Sequence, residues 1–399
     1  MRRFIRFPTL AQTVFAVAAL FHGTSVLAAE ATTGLRCHYR LRDDHSGAAT
    51  AFAMPNYKVK GYWRSSSILP SRSLFFTQDR PQNLLDACRL YLATLPRVGD
   101  FVGVTAATSA QSYNYEFWYN GDLKPGAPIE RIVSFGDSLS DTGNMHNESQ
   151  WRLPSDAWYA GRFSNGPVWV EHLARRNGLT LHNWAIGGAQ TRDVYFGLIH
   201  GVDSQVEGFF NYMQSAENYD ISRTLFTFLA AGNDFVNDTK TAPEILDQQE
   251  KTLRKLAEKG ARKILLVNLP DVSVAPVFRM GRTDGATVLG KVEYYNAHLG
   301  DMARRVAAMT GAEIRVVDVR SSFDDVMAHP ERYGFSNTTQ SCLQIDTDSS
   351  LNYLRKPALR AGCFPADYVF WDSLHPTTRM HELMAGWAVE SAPPSWGLH

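Results

Sequence analysis

Short apolar runs alternate with amphipathic stretches from Ile129 to the end of the chain. The runs are nearly uninterrupted, as is typical of strands that are buried on both faces of a parallel sheet. The predicted strands are Arg131–Phe135, Leu179–Asn183, Thr224–Ala230, Lys263–Asn268 and Glu313–Val319. The predicted helices, which place apolar residues at helical spacing, are Val168–Arg176, Pro243–Lys259, Lys291–Met309 and Thr377–Ser391. This alternation predicts an α/β fold in which a parallel sheet has helices on both faces.

The pattern differs before residue 126. Aromatic residues and arginines are frequent there, and short alternating runs such as Lys58–Trp63 and Ser73–Phe76 are typical of strands. One amphipathic stretch, Pro81–Leu95, has the spacing of a helix. We therefore expect a small α+β domain over residues 30–125, a linker at Gly121–Pro128, and a second domain over residues 126–399.

Aromatic side chains of the first domain are expected to form most of its core, and contact with a membrane surface is the alternative. The aromatic residues in question are Tyr57, Tyr62, Trp63, Phe75 and Phe76.

Composition places the chain among soluble globular proteins, with 44% hydrophobic and 20% charged residues. The 40 basic residues balance the 40 acidic ones, so no overall field favours nucleic acid as a partner. At the N-terminus, Arg2, Arg3 and Arg6 precede an apolar stretch and then small residues. This order predicts a signal peptide over residues 1–29 and a secreted protein, with a buried N-terminal helix as the alternative. No run approaches the roughly 20 apolar residues of a transmembrane helix.

The four cysteines form two groups, Cys37 with Cys88 and Cys342 with Cys363. In an oxidising compartment an even number of cysteines favours disulfides. Other pairings are open to the sequence, but we expect the two within the groups because each closes a local loop. No Cys-x-x-Cys is present, which argues against a zinc ribbon or a thioredoxin-like site.

Two other patterns are weak indications of ligand binding. The set His38, Asp43, Asp44 and His45 matches no common metal-site spacing and is better explained as a solvated loop. Gly285–Lys291 resembles the start of a phosphate-binding loop, but Val292 stands where that motif needs Ser or Thr. We interpret it as a loop that enters a helix. The sequence therefore predicts neither a metal nor a cofactor.

A serine and a histidine at opposite ends of the second domain lie in segments typical of nucleophilic catalysis. Ser138 follows the first predicted strand, and we place it at the start of a helix whose N–H groups favour an oxyanion. His375 has Asp372 three residues upstream, where it can orient the imidazole as a base, and Pro376 is expected to begin the last helix. Turns and helix caps explain each segment alone, but together they predict a Ser138–His375–Asp372 triad.

Two turns offer further hydrogen-bond donors. Gly187 and Gly188 follow the second predicted strand, and the lack of side chains there lets backbone N–H groups approach a ligand. Asn233 follows the third predicted strand and carries a side-chain amide that can donate. Together with the N–H of Ser138, these groups would form an oxyanion hole. Tight turns and a helix cap are the alternative explanation.

These segments resemble, in order along the chain, the four sequence blocks of the GDSL (SGNH) hydrolases. The matching residues are Phe135–Asn144, Gly187–Gly188, Gly232–Asp234 and Asp372–His375. Gly161–Trp169 and Phe370–Asp372 resemble the secreted bacterial phospholipase branch, to which thermolabile haemolysins and glycerophospholipid:cholesterol acyltransferases belong. The aromatic N-terminal domain and the cysteine pairs are similar to the haemolysin-type members.

The resemblance implies a flavodoxin-like, three-layer α/β/α hydrolase domain and a phospholipase A or lysophospholipase with a serine acyl-enzyme. Its substrate would be phospholipid at a membrane surface, with a sterol as a second acyl acceptor. The implied oxyanion hole uses Ser138, Asn233 and one glycine, and the choice between Gly187 and Gly188 stays open. The alternatives are an esterase for acetylated carbohydrates or short acyl chains, and a non-enzymatic membrane-binding adhesin that acts through its N-terminal domain.

Overall fold

Two large β-sheets organise the part of the chain that the structure, a computed structural model, describes. The described residues are 30–42, 50–65, 72–107, 114–237, 239–282 and 284–399. The predicted signal peptide, residues 1–29, lies outside them, as do Asp43, Asp44 and His45 of the weak metal pattern. The remaining member of that pattern, His38, lies within hydrogen-bonding distance of the Thr105 hydroxyl, with Nε2 and Oγ1 3.0 Å apart.

The first sheet is built from residues 31–119. Its strands are β1 (Ala31–Leu41), β2 (Thr50–Ala53), β3 (Val59–Ser65), β4 (Arg72–Thr77), β5 (Val98–Ala107) and β6 (Asn114–Tyr119). β1 pairs with β2, β3 and β5, and β4 and β6 extend the sheet beyond β3. Helix α1 (Pro81–Leu92), which ends before the predicted Leu95, is joined to β1 by the Cys37–Cys88 disulfide.

The second sheet is parallel throughout. Its strands are β7 (Arg131–Gly136), β8 (Thr180–Asn183), β9 (Thr224–Leu229), β10 (Lys263–Val267) and β11 (Glu313–Val317), in the order β11-β10-β9-β7-β8. Every predicted strand is present with small changes at its ends. The predicted α/β fold with a parallel sheet is confirmed.

Helices cover both faces of this sheet. They are α2 (Asn144–Glu148), α3 (Trp169–Asn177), α4 (Val202–Met213), α5 (Gly232–Val236), α6 (Ala242–Glu258), α7 (Gly285–Thr310), α8 (Val319–Ala328) and α9 (Thr378–Ser391). Two short parallel strands, β12 (Asn337–Ser341) and β13 (Tyr368–Phe370), form a separate pair that leads into the His375 loop. Within the described residues, no helix has the length and apolar content needed to cross a membrane.

Alternate residues of β7 belong to two different apolar cores, one on each face of the sheet. All six are buried. Val133 and Phe135 lie in one apolar cluster with Phe209 of α4, whereas Ile132 lies in another with Leu173 of α3. Because successive side chains of a strand point to opposite faces, one apolar run supplies both layers of helices.

Three predictions about helix starts are wrong. Ser138 lies in a turn rather than at the start of a helix, since α2 begins only at Asn144. The last helix begins at Thr378, because the backbone of Pro376 still bridges to Phe370. Gly285–Lys291 is helical rather than a loop, because the Asp284 carboxylate caps α7 by accepting from the Ala286 N–H.

The two sheets meet through aromatic side chains. Trp118 of β6 stacks on His182 of β8, with ring centroids 4.2 Å apart. Phe76 and Trp118 lie in the same apolar cluster as Phe135 and Phe209, so this core is shared by both sheets. Of the aromatic residues singled out in the sequence, Phe75 and Phe76 are fully buried, and Tyr57, Tyr62 and Trp63 are half-buried.

Candidate active site

Ser138 lies in the turn that follows β7. At the end of this strand Gly136 has a φ of +153°, and a Cβ there would lie 2.3 Å from the Leu229 carbonyl oxygen, so only glycine fits. Its N–H and C=O both bond the buried Gln205 side chain, at 2.9 Å each. The turn itself closes where the Ser140 N–H donates to the Asp137 carbonyl, at 3.0 Å. The close approach to Leu229, the bonds to Gln205 and the turn hydrogen bond fix the end of β7. Ser138 therefore lies at the carboxyl edge of the sheet.

His375 reaches Ser138 across 237 positions of sequence. Its Nε2 lies 2.8 Å from the Ser138 Oγ. Its Nδ1 lies 2.9 Å from Asp372 Oδ2 and 3.0 Å from Oδ1. All three side chains are buried or nearly so. The hydroxyl, imidazole and carboxylate therefore form one continuous hydrogen-bonded row.

Asp372 is the most enclosed member of this row. The backbone N–H groups of Leu374 and His375 donate to its Oδ1, at 2.8 Å each, and the Trp158 indole N–H donates to its Oδ2, at 2.8 Å. Burial alone would raise its pKa, but the charge of His375 and these hydrogen bonds hold the pKa of Asp372 below its ordinary value. The carboxylate therefore stays ionised beside the imidazole.

Trp158 and Tyr353 were missed by the sequence reasoning. The Tyr353 hydroxyl lies 3.2 Å from His375 Nδ1, and burial raises its pKa well above the usual value, so it stays protonated. Trp158 lies just upstream of Gly161–Trp169, the segment that the sequence did single out. That proximity was the only available signal for Trp158, whereas nothing local pointed to Tyr353.

The Gly161–Trp169 segment braces the histidine loop. The Ser164 hydroxyl donates to the Pro376 carbonyl at 2.9 Å, and the Thr378 N–H donates to the Asn165 side chain at 2.8 Å. A Cβ on Gly166 would lie 2.7 Å from the Thr378 side chain. This close packing fixes the position of His375 just before α9.

The two candidate glycines differ in their surroundings. The Gly187 N–H donates to Asp141 Oδ2 at 2.7 Å, so that group is already engaged. Asp141 also accepts from the N–H groups of Gly143 and Asn144, at 2.7 and 2.6 Å, while burial raises its pKa to about 6. Gly188 has a left-handed φ of +79°, which favours glycine.

Asn233 lies in the first turn of α5, beside the glycine turn. Its side-chain amide donates to the Ala189 carbonyl at 3.0 Å, which leaves the second amide hydrogen for another acceptor. A Cβ on the preceding Gly232 would lie 3.8 Å from Asp137 Oδ2. Burial raises the pKa of Asp137 to about 7. The segments after β7, β8 and β9 therefore meet at one edge of the sheet, as expected for a ligand site in such folds.

The second disulfide, Cys342–Cys363, closes a loop that contains Tyr353 and contacts this site through that residue's hydroxyl. Both disulfides join cysteines of the same predicted group. Two disulfides fit an oxidising compartment.

A parallel α/β sheet with a buried hydroxyl–imidazole–carboxylate row at its carboxyl edge is the arrangement of a serine-type ester hydrolase. The profile of the GDSL-like lipase/acylhydrolase family matches residues 132–388. The chain belongs to this family and is an esterase, which confirms the resemblance inferred from the four sequence blocks. A second profile, of the Vibrio dual lipase/transferase N-terminal domain, matches residues 11–120.

Two curated relatives extend over much of the chain. A thermolabile hemolysin of Vibrio parahaemolyticus is 34% identical over 373 residues, which cover 90% of this chain and 88% of the relative. A phosphatidylcholine-sterol acyltransferase of Aeromonas hydrophila is 30% identical over 66% of this chain and 90% of its own length. The crystal structure of a GDSL-like lipase from Parabacteroides merdae covers 69% of this chain and 100% of its own, with 15% identity and a TM-score of 0.37.

Proposed function

We propose that this esterase hydrolyses the acyl ester bonds of glycerophospholipids, with Ser138 as nucleophile, His375 as base and Asp372 as the group that orients it. The observation that carries the proposal is the pair of contacts on His375, 2.8 Å to the Ser138 hydroxyl and 2.9 Å to Asp372. The substrate class is supported by the two relatives, whose names specify a hemolysin and a phosphatidylcholine-sterol acyltransferase.

In the first half-reaction, His375 Nε2 takes the hydroxyl proton as Ser138 Oγ attacks the acyl carbonyl. The carbonyl oxygen becomes negative in the tetrahedral intermediate. The resulting imidazolium is stabilised by Asp372, which is held ionised by the bonds described above. When the intermediate collapses, the Ser–acyl bond remains, the acyl–oxygen bond breaks, and His375 returns its proton to the leaving lysophospholipid.

The oxyanion is stabilised by the Ser138 N–H, by the Asn233 amide and by one glycine. We infer that the glycine is Gly188, because the Gly187 N–H already donates to Asp141. Loss of one such donor typically costs about 2.7–4 kcal/mol of barrier. In the second half-reaction, His375 takes a proton from water as the water attacks the acyl carbonyl, the Ser138–acyl bond breaks, the fatty acid leaves and His375 returns the proton to Ser138 Oγ. A sterol hydroxyl in place of water would give a sterol ester instead.

We also propose that the protein is exported and works in an extracellular or periplasmic space. Residues 1–29 act as the signal peptide and export the chain, because charged, apolar and small residues follow one another there in the required order. Export to an oxidising environment would allow both disulfides to persist.

Ser138→Ala tests the mechanism, with Ser395→Ala, an exposed serine near the C-terminus, as the matched control. Both variants should unfold at the wild-type urea concentration. Mass spectrometry of lipid products, with and without cholesterol in the vesicles, should show no free fatty acid, lysophospholipid or sterol ester with Ser138→Ala and wild-type amounts with the control. Wild-type activity of Ser138→Ala would refute the mechanism.

A substrate panel tests the substrate class. Purified protein is given phosphatidylcholine in mixed micelles, a short-chain nitrophenyl ester and an acetylated oligosaccharide. We expect the phospholipid to have the highest kcat/KM. A preference for the acetylated sugar would assign a carbohydrate esterase instead. Membrane lysis by Ser138→Ala at the wild-type level would assign a non-enzymatic activity.

A further inference from the structure

Two exposed segments flank the Ser138–His375 pair and carry apolar side chains into solvent. We call residues 350–356 the His375 rim and residues 194–199 the Gly188 rim. Neither segment belongs to the hydrogen-bonded row, yet each lies next to a residue of the candidate site.

In the His375 rim, a short 3₁₀ helix runs over Ser350–Leu354. Tyr353 faces inward, where its hydroxyl lies 3.2 Å from His375 Nδ1. Leu351 and Leu354 are 53% and 50% exposed. Side chains three residues apart eclipse each other on such a helix, so these two leucines share the face that points away from the site.

The loop next to this helix adds a third apolar side chain. The Ser155 N–H donates to the Tyr353 carbonyl at 2.8 Å, and its hydroxyl donates to the Arg355 carbonyl, so residues 150–156 run alongside the rim. Trp151 of this loop is half exposed. The Cys342–Cys363 disulfide and the Arg282–Asp348 ion pair brace the rim, which limits the conformational freedom it would lose on docking.

The Gly188 rim lies beside the glycine turn. Val194 and Ile199 bond each other's backbone, with N–O distances of 3.1 and 3.3 Å, and close a small hairpin. Tyr195 and Leu198 at its tip are 70% and 58% exposed. The Ile199 side chain lies 3.4 Å from where a Cβ of Gly188 would be. The mouth of the site therefore has exposed apolar side chains next to both its base and its glycine turn.

The charged residues beside the exposed apolar side chains indicate which kind of partner would cover this surface. In residues 150–156 and 350–356 the exposed charged residues are three cations, Arg152, Arg355 and Lys356, and one acid, Asp156. Apolar side chains with cations beside them suit the boundary between the acyl chains and head groups of an anionic bilayer. An acidic protein surface would satisfy the cations but would leave the leucines without an apolar environment.

We propose that the two rims form a docking face which holds the mouth of the site against a bilayer that contains anionic phospholipid. The apolar tips enter the head-group region, the cations pair with lipid phosphates, and an acyl ester can then reach Ser138 without crossing bulk water. This inference rests on the proposed phospholipase function.

The test uses the full-length double variants Leu351→Ser/Leu354→Ser and Tyr195→Ser/Leu198→Ser. The control is Leu90→Ser, because Leu90 on α1 is more exposed than any of them. Binding to vesicles of phosphatidylcholine with phosphatidylglycerol is measured by flotation. Hydrolysis of vesicles, of phosphatidylcholine in mixed micelles and of a soluble nitrophenyl ester is measured in parallel. Both double variants should lose about tenfold or more in flotation and vesicle hydrolysis, with the soluble ester rate and the control unchanged.

A charge-reversal variant, Arg355→Glu/Lys356→Glu, tests the lipid charge. It should weaken binding to vesicles with phosphatidylglycerol and leave binding to pure phosphatidylcholine vesicles as in the wild type, and added salt should reduce that difference.

Wild-type flotation of both rim variants would overturn the docking face, and so would a parallel loss of the soluble ester rate, which would place the rims in the catalytic machinery. A concentration-dependent dimer in light scattering that the rim variants abolish would identify a second copy as the occupant instead. A wild-type protein that cleaves the soluble ester but not phosphatidylcholine in mixed micelles would refute the proposed substrate, independently of the rims.

Discussion

Asp372→Asn is the substitution whose consequences follow most directly from the geometry. The carboxylate accepts from two backbone N–H groups at one oxygen and from Trp158 at the other, and both oxygens lie within 3.0 Å of His375 Nδ1. An asparagine can keep the backbone bonds with its carbonyl oxygen. Its NH₂ group then replaces Oδ2 and faces the Trp158 N–H, so two donors meet.

The rate should fall because the imidazole must change tautomer. The asparagine carbonyl at the Oδ1 position already accepts two backbone N–H groups, so His375 Nδ1 accepts from the NH₂ group 2.9 Å away instead. Its proton then moves to Nε2, which can no longer accept the proton of Ser138. The same exchange lowers kcat about 10⁴-fold in a serine protease triad. We expect a loss of that order in kcat for a soluble ester, measured by pre-steady-state and steady-state hydrolysis.

Stability provides a second readout. The buried Trp158 N–H loses its acceptor in Asp372→Asn, which should cost about 1–3 kcal/mol of unfolding free energy in urea. Trp158→Phe alone leaves the carboxylate one donor short. In the double variant the facing donors are gone, so its destabilisation should be smaller than the sum of the single values by about 1–2 kcal/mol.

Two results would contradict this reasoning. One is a kcat for Asp372→Asn within about tenfold of the wild type at neutral pH, where the wrong tautomer should dominate. The other is strict additivity of the two substitutions in urea, which would mean that Trp158 and Asp372 do not interact in solution.

Two further predictions concern neighbouring residues. Gly187→Ala places a Cβ 2.3 Å from the Phe163 ring, so it should lower kcat and reduce the unfolding free energy in urea by about 1–3 kcal/mol. The control is Gly290→Ala, whose Cβ meets no atom within 4 Å and which should be neutral or stabilising in urea. Burial raises the pKa of Asp137 to about 7, so the unfolded chain ionises this carboxyl at lower pH than the native protein does. Asp137 therefore contributes a fall in stability as pH rises from about 4 to about 7, and Asp137→Asn should make the pH slope of the unfolding free energy in urea more positive than that of the wild type across this range; an unchanged slope would contradict the raised pKa.

The parallel sheet could be predicted because each of its strands is a local apolar run. Helix α4 was missed although Val202, Val206 and Phe209 stand at helical spacing and are buried, and only Gly208 lowers its intrinsic helix propensity. The start of α8 was missed for a different reason, because the predicted strand ran on to Val319. Val317 and Val319 read as one strand, and only the Asp318 side chain, which accepts from the Ser321 N–H, ends the strand and caps the helix.

Some residues of the candidate site could be predicted from local sequence patterns, and others could not. Ser138 and His375 were accessible because their neighbours in sequence carry the pattern. Trp158 contacts Asp372 across 214 positions, and Tyr353 reaches His375 from inside the disulfide loop. Neither contact could be predicted from the residues around Trp158 or Tyr353, since both contacts depend on how distant segments pack.

The stacking of Trp118 on His182 bears on whether the two domains can be separated by truncation. Phe76 and Trp118 belong to a core that also contains residues of β7 and α4, so part of the apolar surface of the hydrolase domain is covered by the first sheet. Cutting the chain near residue 125 and separating the fragments would expose apolar surface on each of them. Residues 30–125 are therefore a structural partner of the hydrolase domain rather than an independent module, and we expect both parts to unfold in one thermal transition.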